Sequence, residues 1–202
     1  MTEYLIDKGI QSEIEVIPTG IDISNYKEYG EEEIEEYRKE LGLKPEENIL
    51  LFVSRLSTEK NIDFLFESLQ SLLESSEDNK TKLLMVGDGP QKEALIQKTK
   101  NLNINKQVEF LGEKNREELI KIYKLADIFV FSSLSETQGL VIVEALAGRT
   151  PVVALNGTGV KDILTDGKDG YLLEVKDKDG CLKRVLKLLN NDELRSDMSK
   201  EA

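Results

Sequence analysis

Short aliphatic and β-branched runs recur along the chain, separated by stretches in which apolar positions return every three or four residues. The runs are EIEVIP (residues 13–18), NILLFVS (48–54), KLLMVG (82–87), QVEFLG (107–112), DIFVFSS (127–133), PVVAL (151–155) and GYLLEV (170–175). Each is short, bounded by turn-forming or charged residues, and predicts a strand. Between them, Ile62, Leu65, Phe66, Leu69, Leu72 and Leu73 fall at helical spacing, and segments 91–101, 115–126, 139–147 and 179–190 repeat that pattern. Continuous apolar strands alternating with amphipathic helices specify a parallel sheet covered on both faces, an α/β doubly wound fold. The acidic stretch EEEIEEYRKE (31–40) reads as a solvated surface helix.

The ends differ from the middle. Residues 1–9 read as the end of a helix with no strand before it, and NDELRSDMSKEA (191–202) as a helix that stops in mid-pattern. The chain is therefore expected to be one half of a larger protein, with residues 1–13 as a remnant of an interdomain segment, 14–190 as the domain and 191–202 as a truncated C-terminal helix.

Composition narrows the chemistry. The chain has 202 residues, 39% hydrophobic and 33% charged, a globular profile large enough to bury a substantial core. A formal charge of -12 argues against a nucleic-acid partner, which needs clustered Lys and Arg. The apolar runs are far shorter than a membrane span. With one cysteine, Cys181, and no leader pattern, a reducing cytoplasm is the expected compartment. There is no histidine, which removes imidazole catalysis and His-ligated metals, and no metal-ligand cluster has convincing spacing.

Doubly wound sheets bind ligands at the carboxyl ends of their strands. That directs attention to loops 54–61, 87–90, 112–116, 133–139 and 156–160. Gly87-Asp88-Gly89 invites a dinucleotide fingerprint, but Lys92 stands where its third glycine belongs, and there is no Walker loop. Residues 87–90 read equally as a tight turn into a helix beginning at Pro90. Arg55 and Lys60 are either ordinary surface cations or, at a strand's carboxyl end in an acidic protein, the pair that neutralises a diphosphate.

SETQGLVIVEALAG is the most informative stretch. Gly139 is expected at a helix start, where free N–H groups and the dipole favour phosphate. Glu136 precedes that helix. Glu144 lies inside it beside Val143, Ala145 and Leu146, without a Lys or Arg four residues away. A carboxylate in such company is either turned to solvent or met by something polar, such as ribose hydroxyls.

Taken in order, VIPTGID, VSRLSTEKN, LLMVGDGP, VEFLGEKNREELIKIYKLADIFVFSSLSETQGLVIVEALAGRTPVVA and DGKDGYLLE resemble retaining nucleotide-sugar glycosyltransferases of the GT-B fold. The resemblance covers residues 14 to 175 and only the carboxyl-terminal, donor-binding domain, a Rossmann-like half of a GT-B fold. It implies that Arg55 and Lys60 hold the diphosphate and stabilise charge on the leaving nucleotide, with Glu136 on the transferred sugar as the third catalytic group. It further implies that Glu144 meets the ribose, that backbone at Gly87, Gly139, Leu140 and Val141 meets the donor, and that Lys114 lies beside the base. No cofactor or metal is implied beyond the nucleotide-sugar substrate.

Two departures from the family pattern stand out. Ser54 precedes Arg55 where glycine is common, and Thr137 and Gln138 separate Glu136 from Gly139. The second is similar to bacterial diacylglycerol glucosyltransferases, as is the threonine in VIPTGID, which tilts the donor toward UDP-glucose and the acceptor toward a diacylglycerol-type lipid. The missing amino-terminal domain would carry the acceptor site and any contact with the inner membrane face, so the chain alone is expected to turn over little. A non-catalytic nucleotide-sugar-binding module and a nucleotide-sugar epimerase remain the competing readings.

Overall fold

The structure, a computed structural model, describes residues 2–15, 19–75, 80–136, 138–157, 159–175 and 177–202. Six of the predicted runs form strands: β1 (Asn48–Val53), β2 (Thr81–Val86), β3 (Val108–Gly112), β4 (Ile128–Phe131), β5 (Val152–Leu155) and β6 (Gly170–Leu173). All pair in parallel, in the order β3-β2-β1-β4-β5-β6. This is the doubly wound order, in which the chain reverses its direction of travel across the sheet between β1 and β4. Ile49, Leu51, Phe52, Phe129 and Ala154 are wholly buried, as central strands with helices on both faces require. Each large side chain so placed contributes about 1.5–3 kcal/mol of burial free energy.

The expected strand at 13–18 is a correction where it can be judged. Glu13, Ile14 and Glu15 lie outside any strand, with both glutamates exposed, and 16–18 fall outside the described residues. With a glutamate on each side, Ile14 could enter a sheet buried on both faces only by carrying a carboxylate in with it.

The helices are α1 (Thr2–Asp7), α2 (Glu31–Glu40), α3 (Ile62–Ser75), α4 (Lys92–Asn101), α5 (Arg116–Leu125), α6 (Leu140–Ala147), α7 (Lys178–Leu189) and α8 (Asp192–Glu201). α3 packs on α4 and α7, while α5 packs on α2 and α6. Leu50, Leu83 and Val130 face α3 and α7 across a cavity of about 20 Å³. α5 is set by a capping box in which Asn115 Oδ1 accepts the Glu118 N–H at 3.0 Å and Glu118 Oε2 accepts the Asn115 N–H at 3.1 Å. α8 is tied in through Arg195, which donates to the Leu188 carbonyl at 2.9 Å, and through buried Met198. Among the described residues, no helix is long and apolar enough to cross a membrane.

Ladder bonding continues past the strand ends. Ser54 N–H donates to Val86 O at 3.0 Å and Leu56 N–H to Asp88 O at 2.9 Å, so the loops after β1 and β2 run side by side. That contact excludes side chains. A Cβ on Gly87, whose φ is +124°, would lie 2.0 Å from Ser54 O, and one on Gly89 would lie 2.4 Å from Leu56 O. Close approach of the neighbouring loop therefore calls for glycine at both positions, and the helix that follows starts at Lys92 rather than at the expected Pro90.

Candidate functional site

The reversal between β1 and β4 places the loop carrying Arg55 and Lys60 beside the loop carrying Glu136. Two bonds join them: Ser132 Oγ donates to the Lys60 carbonyl at 2.7 Å, and Asn61 Nδ2 donates to the Ser132 carbonyl at 3.4 Å. Asn61 adopts a left-handed conformation (φ 52°) that asparagine tolerates better than most residues, which ends the short turn Thr58–Lys60 and lets α3 start at Ile62. As a result the Lys60 ammonium donates directly to Glu136 Oε1. Both side chains are only 17% exposed, so little water screens the pair.

Arg55, Gly87 and Lys114 line a common open cleft of about 550 Å³ above the ends of β1, β2 and β3. Arg55 is exposed. Asp88 and Glu113 share the cleft with the two cations. Lys92 and the Gly89 N–H hold the Asp88 carboxyl below its usual range. The Lys114 ammonium is held by Glu118 Oε1 at 2.9 Å, which in turn keeps that carboxyl low.

Gly139 opens α6 with a φ of 57°, and a Cβ there would come within 2.6 Å of Ile163 Cδ1. The first N–H groups of α6, those of Leu140 and Val141 among them, have no acceptor within the helix and carry the positive end of its dipole. The loop before α6 reaches back to the beginning of the chain, because Gln138 Nε2 donates to Thr19 Oγ1 at 2.8 Å. Thr137 and Thr158 lie outside the described residues.

Glu144 is half-buried rather than turned to solvent. Its polar partner within the chain is Tyr123, whose hydroxyl donates to Glu144 Oε2 at 3.0 Å. Burial pushes the Glu144 carboxyl above its usual range, opposed by that hydrogen bond and by the charge of Arg116. Tyr26 also faces this carboxylate, and its phenol is raised, first by burial and then by Glu144.

Three groupings thus stand apart from the core: Arg55 with Gly87 and Lys114 in the cleft above β1, β2 and β3, Lys60 with Glu136 at the switch point, and Glu144 with Tyr123 at the α5–α6 contact. Tyr123, Tyr26 and Arg116 went unread in the sequence. A signal for Tyr123 was present, since it falls on the apolar face of α5 beside Ile120 and a buried phenol hydroxyl needs a partner.

A doubly wound parallel sheet with cations, acids and a helix N-terminus gathered at its switch point defines a Rossmann-like class of domain, of the kind that forms half of a GT-B fold. Residues 33–202 match the glycosyl transferases group 1, and the chain belongs to that family. It is 37% identical over 172 residues to an alpha-monoglucosyldiacylglycerol synthase of Streptococcus pneumoniae, a match covering 84% of this chain and 38% of that protein. It is 29% identical over 174 residues to the N-acetyl-alpha-D-glucosaminyl L-malate synthase of Bacillus anthracis, covering 86% and 44%. The chain thus spans less than half the length of either relative. In fold it is similar to Anabaena HepE, solved in complex with UDP-glucose, with a TM-score of 0.85 at 23% identity over 98% of this chain and 54% of that one.

Proposed function

We propose that the chain is the donor-binding half of a retaining glycosyltransferase that moves glucose from UDP-glucose to a diacylglycerol-type lipid held largely by another domain. The observation that carries this reading is the placing of Lys60 on Glu136 at the switch point, with Arg55 on the same loop as Lys60 and the N-terminus of α6 following Glu136 directly. Arg55, Lys60 and the first N–H groups of α6 meet the diphosphate, Glu136 the sugar and Glu144 the ribose. Donor arrival exchanges the Lys60–Glu136 contact for a phosphate on Lys60 and sugar hydroxyls on Glu136. In transfer, the bond from the sugar's anomeric carbon to the phosphate oxygen breaks with its electron pair going to UDP, where the cations stabilise the new charge. The acceptor oxygen bonds to that carbon on the same face and passes its proton to the phosphate oxygen that is leaving with UDP.

The glucose and lipid assignments are supported by the SETQGL stretch and by the name of the S. pneumoniae relative. The B. anthracis relative names another sugar and acceptor, so both assignments call for a panel. Transfer needs no metal ion and survives chelation in this reading. The protein works in the cytoplasm, and its other domain makes any membrane contact, since a charge of -12 is repelled by anionic headgroups.

Calorimetric titration with UDP and UDP-glucose tests the proposal. Glu144→Ala should weaken both ligands, and Glu136→Ala should weaken UDP-glucose selectively. Folded protein that binds neither ligand nor any other nucleotide sugar, even when joined to its partner domain, would overturn it.

A further inference from the structure

Tyr123 is wholly buried yet carries a hydroxyl, and it spends that hydroxyl on Glu144. The ring has little freedom to move. Its carbonyl accepts from Thr150 Oγ1, its ring lies 5.8 Å from that of Phe129 in β4, and a Cβ on Gly148 would come within 2.8 Å of its own Cβ. Only a glycine lets the end of α6 close so tightly on α5. Since the phenol is wholly buried and locked by its surroundings while Glu144 is only half-buried, the tyrosine orients the acid rather than the reverse.

The groups around Glu144 come from three elements. Arg116 and Tyr123 sit seven residues apart on α5, two turns along one face. Tyr26 faces the acid from the turn Ser24–Lys27, and on α6 itself Glu144 is flanked by Val143 and Ala145. Arg116 also donates to the Asp22 carbonyl at 3.3 Å, which ties the segment before Tyr26 to α5.

We infer that Tyr123 is a positioning residue that holds one oxygen of the Glu144 carboxylate and leaves the other to accept the vicinal hydroxyls of the nucleotide's ribose. The inference rests on the ribose reading of Glu144 given above. Bonding the carboxylate also favours its charged form against burial, so loss of the hydroxyl should push the carboxyl further up.

The test uses Tyr123→Phe, which keeps the ring, and Glu144→Ala, which removes both carboxylate oxygens, separately and together. Without ligand, carbon-detected NMR follows the Glu144 carboxyl, assigned by its absence in Glu144→Ala, through a pH titration. Calorimetry then gives UDP affinity for all four proteins. The expected result is a higher Glu144 midpoint in Tyr123→Phe, a loss of UDP affinity of about three- to tenfold, and a double variant no weaker than Glu144→Ala alone. An unmoved midpoint, or losses that add in full, would overturn the inference. A midpoint that moves while Glu144→Ala binds UDP like the parent upholds the Tyr123–Glu144 coupling and overturns the ribose assignment. If Tyr123→Phe fails to fold, 3-fluorotyrosine at the same position supplies a stronger donor, and the midpoint should fall instead; a midpoint left in place again overturns the inference.

Discussion

Glu144 is expected to cost this protein stability at neutral pH. Glu144→Gln keeps the side chain's size, and its amide oxygen still accepts from the Tyr123 hydroxyl, which lies at 3.0 Å from the carboxylate it replaces. What the change removes is a charge that burial disfavours. Because the folded carboxyl titrates above its unfolded value, the native state holds the extra proton between the two values, and stability falls as pH rises through that window. Above the window the parent bears the full penalty and the amide bears none. Relief at a functional acid of this kind is worth about 0.5–1 kcal/mol, discounted here because Glu144 is partly exposed and Arg116 offsets part of the penalty. Urea unfolding at neutral pH should therefore place Glu144→Gln level with the parent or up to about 1 kcal/mol above it. The two should converge below the ordinary carboxylate range, where both side chains are neutral. A variant less stable by more than about 1 kcal/mol at neutral pH would refute the reasoning, because Arg116 and Tyr123 would then outweigh desolvation.

Two further outcomes follow from the packing. Gly87→Ala forces a Cβ to within 2.0 Å of the Ser54 carbonyl at a φ of +124°, and neither backbone can yield cheaply, so unfolding should cost at least about 3 kcal/mol less than in the parent; a loss under about 1 kcal/mol in chemical denaturation would show that the loops separate easily. The buried Cys181 thiol is pushed up to about 11, so it should resist a disulfide-exchange reagent at mildly alkaline pH in the native protein and react on unfolding, with rapid native labelling as the contrary result.

Much of the architecture was legible along the chain because it is local. NILLFVS, KLLMVG and DIFVFSS are long and apolar enough to demand burial on both faces, and each became a central strand of the parallel sheet. The segment from Ile62 to Leu73 carries a helical stripe that no strand could satisfy, and it formed α3. At 13–15 the strand expectation misled because Ile14 was weighed without the glutamates on either side of it. The acids were found by their company: Glu144 stood out as a carboxylate among aliphatic residues, and Glu136 by its place before a glycine-led helix.

Their partners could not be read in the same way. Lys60 meets Glu136 across 76 positions, and Tyr123 meets Glu144 across 21 and a change of helix. Periodicity reports which face of an element is apolar, and so the chain by itself determined the doubly wound class and the loops where ligand chemistry belongs. Strand order is a property of the assembled sheet. Only when β1 and β4 became neighbours did a lysine reach a glutamate, and only when α6 closed on α5 over Gly148 did a core tyrosine become the hydrogen-bond partner of a half-buried acid, because such contacts depend on which surfaces pack together and at what distance.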